Sequence, residues 1–343
     1  MHPTLLSDPR LGPFGPTMSY PRVFSLLLSL VIVALAPAAD VRLGLVGLDT
    51  SHSAAFTKIL HDPTAKDHVA GGRVVGAYKE ASALVEVSAK RAEEGREKLE
   101  KDFGIKMYPS IEALAKDVDV ILIESADGHA HLDQARRAIL TGKPVFVDKP
   151  MAASVKDSAQ IFALARQHKV PVFSASSLRF ARATQAVRGG SIGKVREAQT
   201  GSPASFEPHH PDLFWYGIHG VESLFTVMGT GLETVTRKSS AAGAIVTEGQ
   251  WADGRTGVYR QGKYGGKAIG EKGEAEVGTL DGYAPLVAQI VTFARTGVSP
   301  IPEQETIEIL AFMEADARSK ELGGKPVKIS EILKEAGWKP AKR

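Results

Sequence analysis

Residues 41–175 contain short apolar runs, each followed by an amphipathic segment. VRLGLVG (41–47) predicts a buried strand, HSAAFTKIL (52–60) a helix and RVVGAY (73–78) a second strand. A charged helix from about residue 81 then ends at Gly104, and the strands VDVILIES, PVFVDKP and VPVFSAS follow with helices between them. Buried strands that alternate with amphipathic helices predict an α/β fold with a Rossmann-type, doubly wound parallel sheet.

The pattern changes after about residue 195, where the strands become longer. The stretch TEGQWADGRTGVYRQGK carries Asp253-Gly254 between two alternating runs, which is typical of a two-residue β-hairpin turn. Helices are expected near 212–228, 283–296 and 303–322. We therefore predict a Rossmann domain over 40–150 and a C-terminal substrate and catalytic α/β domain over 151–343, built on an open, mostly antiparallel sheet.

The first 39 residues are interpreted as a leader and signal peptide. After Met18 come one arginine, the apolar run 23–36 and the small-residue sequence Ala36-Pro37-Ala38, the layout of a cleavable secretory signal. The apolar run is shorter than the roughly 20 residues that a membrane span requires. We expect an exported protein, periplasmic or extracellular, that begins near Ala39. Whether residues 1–17 belong to the protein is left open.

Composition excludes several classes of function. The formal net charge is +3 and the basic residues are dispersed, so neither nucleic acid nor, after processing, a membrane is an expected partner. The chain has no cysteine, which excludes disulfides, a thiolate zinc site and a cysteine nucleophile.

Three segments occur in the order typical of one family. They are ESADGHAHLDQARRAILTGKPVFVDKP, SLRFARATQAVRGGSIGKVREAQT and WYGIHGVESLFTVMG. Together they resemble the Gfo/Idh/MocA oxidoreductases, named for glucose–fructose oxidoreductase and inositol dehydrogenase, over residues 40 to 325. The resemblance implies NAD or NADP as cofactor, a carbohydrate or polyol as substrate and, because an open sheet face often supports dimers in this family, a homo-oligomer.

The resemblance also implies that Lys149 and His219 are the catalytic residues. Their side chains suit the chemistry, because hydride can leave a carbinol carbon only if its hydroxyl proton is removed by a base. A lysine ammonium beside the same oxygen stabilises the alkoxide that develops. We favour His219 as the base and Lys149 as the electrostatic partner. The alternative, with Lys149 as the base and His219 as the electrostatic partner, is left open.

The phosphate loop departs from the dinucleotide-binding pattern G-x-G-x-x-G. Gly47 is present, but Asp49 and His52 occupy the second and third glycine positions. A carboxylate about 4 Å from a phosphate would cost up to about 4 kcal/mol at an effective dielectric near 20. Alternatively, Asp49, Thr50 and Ser51 cap the helix with their own oxygens, and His52 faces the cleft. This loop and export to a compartment without a nicotinamide pool both count against ordinary turnover. Two alternatives follow: a cofactor that is tightly bound and recycled within each turnover, or a cofactor that has been lost.

The remaining candidate residues follow from their positions in these motifs. The expected cofactor contacts are Gly47, Leu48, Asp49, Thr50, Ser51, His52, Lys79, Ser125, Asp127, His131 and Asp148. The expected substrate contacts are Arg179, His209, His210, Trp215 and Tyr216. Lys79 would suit the 2′-phosphate of NADP, whereas Glu80 would suit NAD.

A metal site is not predicted, although nitrogen and oxygen ligands are close in sequence. His209 and His210 lie near Glu207, His219 and Glu222, but their spacing fits no established metal motif.

The leading hypothesis is an exported NAD(P)-dependent oxidoreductase that acts on a CH–OH group of a sugar or polyol. One alternative is a lyase, hydrolase or epimerase that uses tightly bound NAD in an internal redox cycle. The other is a redox-silent carbohydrate-binding protein that keeps the fold.

Overall fold

The structure, a computed structural model, describes residues 39–239 and 243–340. The predicted signal peptide therefore lies outside the described residues. Among the described residues, none of the helices combines the length and apolar character needed to span a bilayer.

The first sheet has six parallel strands in the order β3-β2-β1-β4-β5-β6. The sequence pattern predicted a doubly wound parallel sheet and five of these strands, but not the two-residue strand Lys106–Met107. Its strands are β1 (Val41–Val46), β2 (Gly72–Tyr78), β3 (Lys106–Met107), β4 (Val120–Ile123), β5 (Val145–Asp148) and β6 (Val172–Ala175). The strand order reverses between β1 and β4, and ligands of open parallel sheets bind beyond the carboxyl ends of the strands at such a switch point. β6 extends the sheet past Pro150, where the sequence pattern placed the domain boundary.

Five helices connect these strands. They are α1 (His52–His61), α2 (Ser88–Phe103), α3 (Ile111–Leu114), α4 (His131–Leu140) and α5 (Val155–His168). The prediction for the start of α2 was wrong, because the helix begins at Ser88 rather than near Ala81. Ser82 explains the difference: its hydroxyl accepts the backbone N–H of Leu84 at 3.0 Å, and such local bonds favour a turn over a helix.

The second sheet has seven strands in the order β12-β11-β7-β10-β9-β8-β13, and only the β7–β10 pair is parallel among its described strands. The strands are β7 (Val195–Ser202), β8 (Leu232–Ser239), β9 (Ile245–Trp251), β10 (Thr256–Gln261), β11 (Gly265–Gly270), β12 (Gly273–Val277) and β13 (Val327–Lys328). The predicted hairpin joins β9 to β10, but its connection is longer than two residues. Gly254 there has φ +83°, a conformation that favours glycine.

The helices of the second half pack on both sheets. After a 3₁₀ turn (Ser177–Phe180) come α6 (Arg182–Arg188), α7 (Ile218–Met228), α8 (Ala284–Thr296), α9 (Glu303–Glu321) and α10 (Ile329–Glu335). Helix α8 returns to the first sheet, where the Phe293 ring lies 4.7 Å from that of Phe173. Its N-terminal Tyr283 therefore lies beside His52 of α1, at 4.9 Å between ring centroids.

Candidate active site

The turn after β1 keeps the backbone approach that a dinucleotide site requires. Gly47 has φ +77°, and a Cβ atom on it would lie 2.0 Å from Ser125 Oγ. No other residue fits there, because the loop after β4 packs directly against the turn. The first glycine of the motif is thus needed to bring β1 and β4 together at the switch point.

Asp49 is turned into the protein rather than into the cleft. It is 3% exposed, and its two carboxylate oxygens accept hydrogen bonds from the Ser88 hydroxyl at 2.6 Å and from the Ala126 backbone N–H at 3.0 Å. The carboxylate therefore ties the start of α2 to the loop after β4. This contact reduces the charge that Asp49 presents to a phosphate, since both oxygens are already hydrogen-bonded by protein groups.

The first turn of α1 is mostly left without side-chain caps. Ser51 makes no capping hydrogen bond, and only the Thr50 hydroxyl accepts a backbone N–H here, that of His52 at 3.3 Å. Self-capping by all three polar residues is thus wrong. A helix N-terminus with free N–H groups favours an anion, so the loop fits the pyrophosphate of a dinucleotide despite Asp49.

His52 joins a buried pair of carboxylates. Its Nδ1 lies 2.9 Å from Asp148 Oδ2 and 3.8 Å from Glu124 Oε2. Its ring stacks on Phe56 at 5.3 Å and meets Tyr283 edge-on. The third glycine position therefore carries an imidazole that links α1 to the ends of β4 and β5.

The two carboxylates have opposite electrostatic tendencies. Glu124 is fully buried, neither of its oxygens has a hydrogen-bond partner among the described residues, and burial followed by the charge of Asp148 raises its pKa well above the ordinary value. Burial acts to raise the pKa of Asp148 as well, but His52 and Lys149 outweigh burial and hold that pKa below its ordinary value. Glu124 therefore keeps its proton to a higher pH than Asp148 does, so that the pair passes through a state with one carboxylic acid and one carboxylate.

Lys149 and His219 meet at one aromatic ring. The Lys149 Nζ lies 5.9 Å from the centre of the Tyr216 ring, and the centre of the His219 ring lies 5.9 Å from the same point. Lys149 comes from the end of β5, 3.9 Å from the Asp148 carboxylate, and His219 comes from α7. Two distant segments thus bring both predicted catalytic side chains near the same aromatic ring.

His219 is suited to accept a proton. Burial, with a smaller contribution from Lys149, lowers its pKa well below the ordinary value, so the imidazole is neutral at pH 7. Its Nδ1 lies 2.7 Å from Ser176 Oγ, which leaves Nε2 as the ring nitrogen available to a substrate.

Arg179 lies behind this histidine in a buried ion-pair network. Its guanidinium donates to Glu222 at 2.7 Å and to Glu305 at 2.6 Å, and its side chain is 2% exposed. Glu222 also accepts the Ser176 backbone N–H at 2.9 Å. The arginine thus supports the element that holds His219; direct substrate contact by Arg179 stays a prediction.

Several predicted cofactor residues serve the architecture of the Rossmann domain. Leu48 is buried in the core. The Ser125 hydroxyl accepts a hydrogen bond from Gln134 at 2.8 Å. His131 is fully buried, with its ring nitrogens each 2.9 Å from a backbone carbonyl oxygen, of Pro150 and Ser125. Lys79, at the end of β2, forms an ion pair with Glu93 of α2.

The two adjacent histidines point to different surroundings. His209 is exposed and lies 3.2 Å from Glu207, whereas His210 is buried beside Trp215, 5.1 Å between ring centroids. His210 and Asp127 approach each other at 3.2 Å. The possible ligands considered from sequence therefore do not assemble, since Glu222 is bound to Arg179 and His209 lies at the surface.

A groove of about 930 Å³ runs along α1 and α2 beside the phosphate loop. Its lining includes Thr50, Ser51, Arg91 and Tyr216. Gly95 of α2 permits this arrangement, because a Cβ atom there would lie 2.1 Å from the Leu48 carbonyl oxygen. The groove joins the phosphate loop to the aromatic ring beside Lys149 and His219, the predicted catalytic residues.

Sequence reasoning missed four residues of the site. Ser176 and Glu124 carry recognisable signals, since each polar residue directly follows a buried apolar strand. Tyr283 and Tyr264, whose ring lies 5.8 Å from that of His219, come from distant segments with no local pattern that points to the site.

Comparisons with known proteins agree with this geometry. Residues 41–176 match the model of the family described as "Oxidoreductase family, NAD-binding Rossmann fold". The "Uncharacterized oxidoreductase YhhX" of Escherichia coli (strain K12) is 24% identical over 132 residues, which are 35% of this chain and 38% of that relative. The chain thus matches well under half the length of this curated relative.

Solved structures share the fold over most of the chain. A probable dehydrogenase from Thermotoga maritima superposes with a TM-score of 0.67 at 19% identity and covers 85% of this chain and 100% of its own. The scyllo-inositol dehydrogenase from Lactobacillus casei, solved with NAD(H) and scyllo-inositol, gives 0.66 at 15%, covering 85% and 99%.

The fold and the matched residues define an α/β protein whose N-terminal part matches a family with an NAD-binding Rossmann fold. Residues 41–176 match the Gfo/Idh/MocA oxidoreductase family model, which agrees with the resemblance found in the sequence. The cofactor class of that family is NAD, as predicted.

Proposed function

We propose that this protein is an exported NAD(P)-dependent oxidoreductase that acts on a hydroxyl group of a sugar or polyol. The observation that carries the proposal is the meeting of Lys149 and His219 at the Tyr216 ring, beside the NAD-binding sheet. A neutral imidazole and an ammonium group around one position are what the removal of a hydroxyl proton requires.

In this proposal each side chain has one task. His219 Nε2 accepts the hydroxyl proton, and Ser176 holds the ring through Nδ1. The Lys149 ammonium stabilises the negative charge on the same oxygen. The Gly47 turn and the first turn of α1 after Ser51 would hold the dinucleotide, whose nicotinamide would supply the hydride acceptor.

The aromatic residues favour a ring-shaped polyol or sugar. Tyr216 is 39% exposed, and Trp215 lies 6.5 Å from it between ring centroids. Sugars and cyclitols present apolar C–H faces that can pack on such rings, while their hydroxyls reach the catalytic pair. The structural neighbour solved with scyllo-inositol supports the same substrate class.

Export is part of the proposal and is supported by the sequence alone. The apolar run 23–36 and the Ala36-Pro37-Ala38 site predict a mature chain that begins near Ala39. N-terminal sequencing of protein from a native-like host tests this, since recovery of Met1 or Met18 in a cytoplasmic protein contradicts export.

The catalytic assignment is tested with Lys149→Met and His219→Gln. Each should lower kcat with a panel of sugars and cyclitols by roughly 10²–10⁴-fold, the usual contribution of a positioned acid or base. Exposed residues supply matched controls, namely Lys156→Met and His168→Gln, which should keep full activity. Circular dichroism checks that all four variants fold.

The cofactor is tested by mass spectrometry of the denatured, purified protein and by calorimetry with NAD and NADP. A released or bound dinucleotide supports the proposal. Absence of both, with a sugar that still binds, favours the redox-silent binding protein. Sugar conversion without net NADH formation, in protein that carries a dinucleotide, favours the internal redox cycle. Full activity of Lys149→Met or His219→Gln refutes the mechanism.

A further inference from the structure

A second cluster of polar side chains lies outside the Lys149–His219 pair. Asp127 and His129 belong to the loop after β4, and His210 belongs to the segment before α7. One ligand atom of each residue lies within 4.8 Å of the other two. The cluster therefore joins parts of the chain that are more than 80 residues apart.

The distances suit a metal ion. His129 Nδ1 lies 2.8 Å and His210 Nε2 lies 3.2 Å from Asp127 Oδ1. Around a tetrahedral zinc ion with bonds of about 2.0–2.1 Å, ligand atoms stand about 3.3 Å apart. Small shifts of the side chains would therefore make room for the ion.

His210 provides independent evidence for a ligand at this cluster. Its side chain is 1% exposed, its Nε2 approaches Asp127 Oδ1 at 3.2 Å without an aligned hydrogen bond, and its Nδ1 has no hydrogen-bond partner among the described residues. Buried polar groups are almost always hydrogen-bonded, because an unpaired group loses its hydration without compensation. An imidazole aimed at a carboxylate, but not aligned to donate to it, is the arrangement that a shared cation would satisfy.

The charge of the cluster agrees with a cation. Asp127 is buried, and its ionic partners among the described residues are the two imidazoles, with no lysine or arginine. Its second oxygen accepts a hydrogen bond from the Ser82 hydroxyl, which orients the carboxylate. Imidazole and carboxylate together are a donor set that zinc prefers.

We propose that Asp127, His129 and His210 form a binding site for a divalent zinc-type ion. Three protein ligands leave a fourth position for water or a substrate oxygen, and the partly exposed His129 gives the ion access. The ion would fasten the loop after β4 to the segment that leads into Trp215 and Tyr216. The proposal does not rest on the oxidoreductase assignment, because the metal can bind without nucleotide or sugar.

The test uses untagged protein that has been stripped with a chelator and titrated with Zn²⁺ alone by calorimetry. Wild type should bind one ion with a rise in Tm, and Co²⁺ at the same site should give visible ligand-field absorption. Removing a metal ligand should lower the affinity for Zn²⁺ at least as much as removing a residue that only orients a ligand. His210→Gln and His129→Gln should therefore each weaken Zn²⁺ binding by about 100-fold or more.

His209→Asn is the matched control, because it removes the adjacent histidine without touching the cluster. It should bind Zn²⁺ and Co²⁺ as wild type does. If the buried His210→Gln variant fails to fold, the partly exposed His129→Gln variant decides. No bound ion in wild type, or equal binding by His129→Gln, overturns the proposal.

Discussion

The raised pKa of Glu124 can be tested by measuring how the free energy of unfolding depends on pH. Its ordinary pKa is 4.5, and burial followed by the charge of Asp148 raises the pKa well above this value in the folded protein. The folded state therefore keeps a proton that the unfolded state loses above about pH 4.5. By linkage, the free energy of unfolding must fall as the pH rises from there, until the folded-state group also ionises.

The substitution Glu124→Gln removes this pH dependence, because the amide cannot ionise in either state. With an unfolded-state pKa of 4.5 and a folded-state group that stays protonated, the linkage relation gives about 1 kcal/mol between pH 5 and pH 6. The variant should gain that amount relative to wild type across this interval. Any fixed cost of burying the amide shifts both values equally and leaves the slope unchanged.

The assay is urea unfolding of both proteins at several pH values, with Glu86→Gln as the exposed control. The control should follow wild type at every pH. A constant difference between Glu124→Gln and wild type from pH 5 to pH 6 would refute the reasoning, since it would mean that Glu124 ionises alike in both states.

Three further substitutions test the loop and its support. Asp49→Asn should change the affinity for NAD, measured by calorimetry, by no more than about tenfold, or about 1.4 kcal/mol. The reason is that the carboxylate is already hydrogen-bonded by protein groups. A gain in affinity of several orders of magnitude would contradict this. Gly95→Ala should lower the free energy of unfolding by about 1–3 kcal/mol, since its Cβ would lie 2.1 Å from a backbone carbonyl oxygen. Gly262→Ala is the control, because a Cβ atom there would lie in open space. Equal stability of the two variants would contradict the close contact between Gly95 and the Leu48 carbonyl oxygen. Arg179→Met should lower the free energy of unfolding by about 3–5 kcal/mol, because it leaves the buried Glu222 without its ionic partner. A decrease within the error of measurement would show that this ion-pair network does not stabilise the protein.

The fold could be predicted because its signal is local and repeated. Apart from the two-residue β3, each strand of the first sheet lies in a short, mostly apolar run, and the connecting helices have amphipathic patterns. The start of α2 was misplaced because Ser82 and Ser88 fold the preceding segment through side-chain hydrogen bonds, which apolar periodicity does not register.

The site was only partly predictable, for a physical reason. Lys149 and His219 lie in recognisable motifs, but the environment that sets their chemistry comes from elsewhere in the chain. The placement of Tyr283 depends on how helix α8 packs back on the first sheet. The inward turn of Asp49 depends on Ser88, 39 positions away. Such long-range pairings leave no local pattern.

The network behind His219 connects the second sequence motif to the chemistry. Arg179 binds Glu222, Glu222 and His219 lie one turn apart on α7, and both of these contact Ser176. A buried ion pair is weak evidence for stability, because desolvation offsets the attraction between the charges. Its value here is geometric, since a guanidinium held by two carboxylates fixes α7 against the 3₁₀ turn and thereby aims the imidazole. Arg179 can thus be essential to the site without touching a substrate.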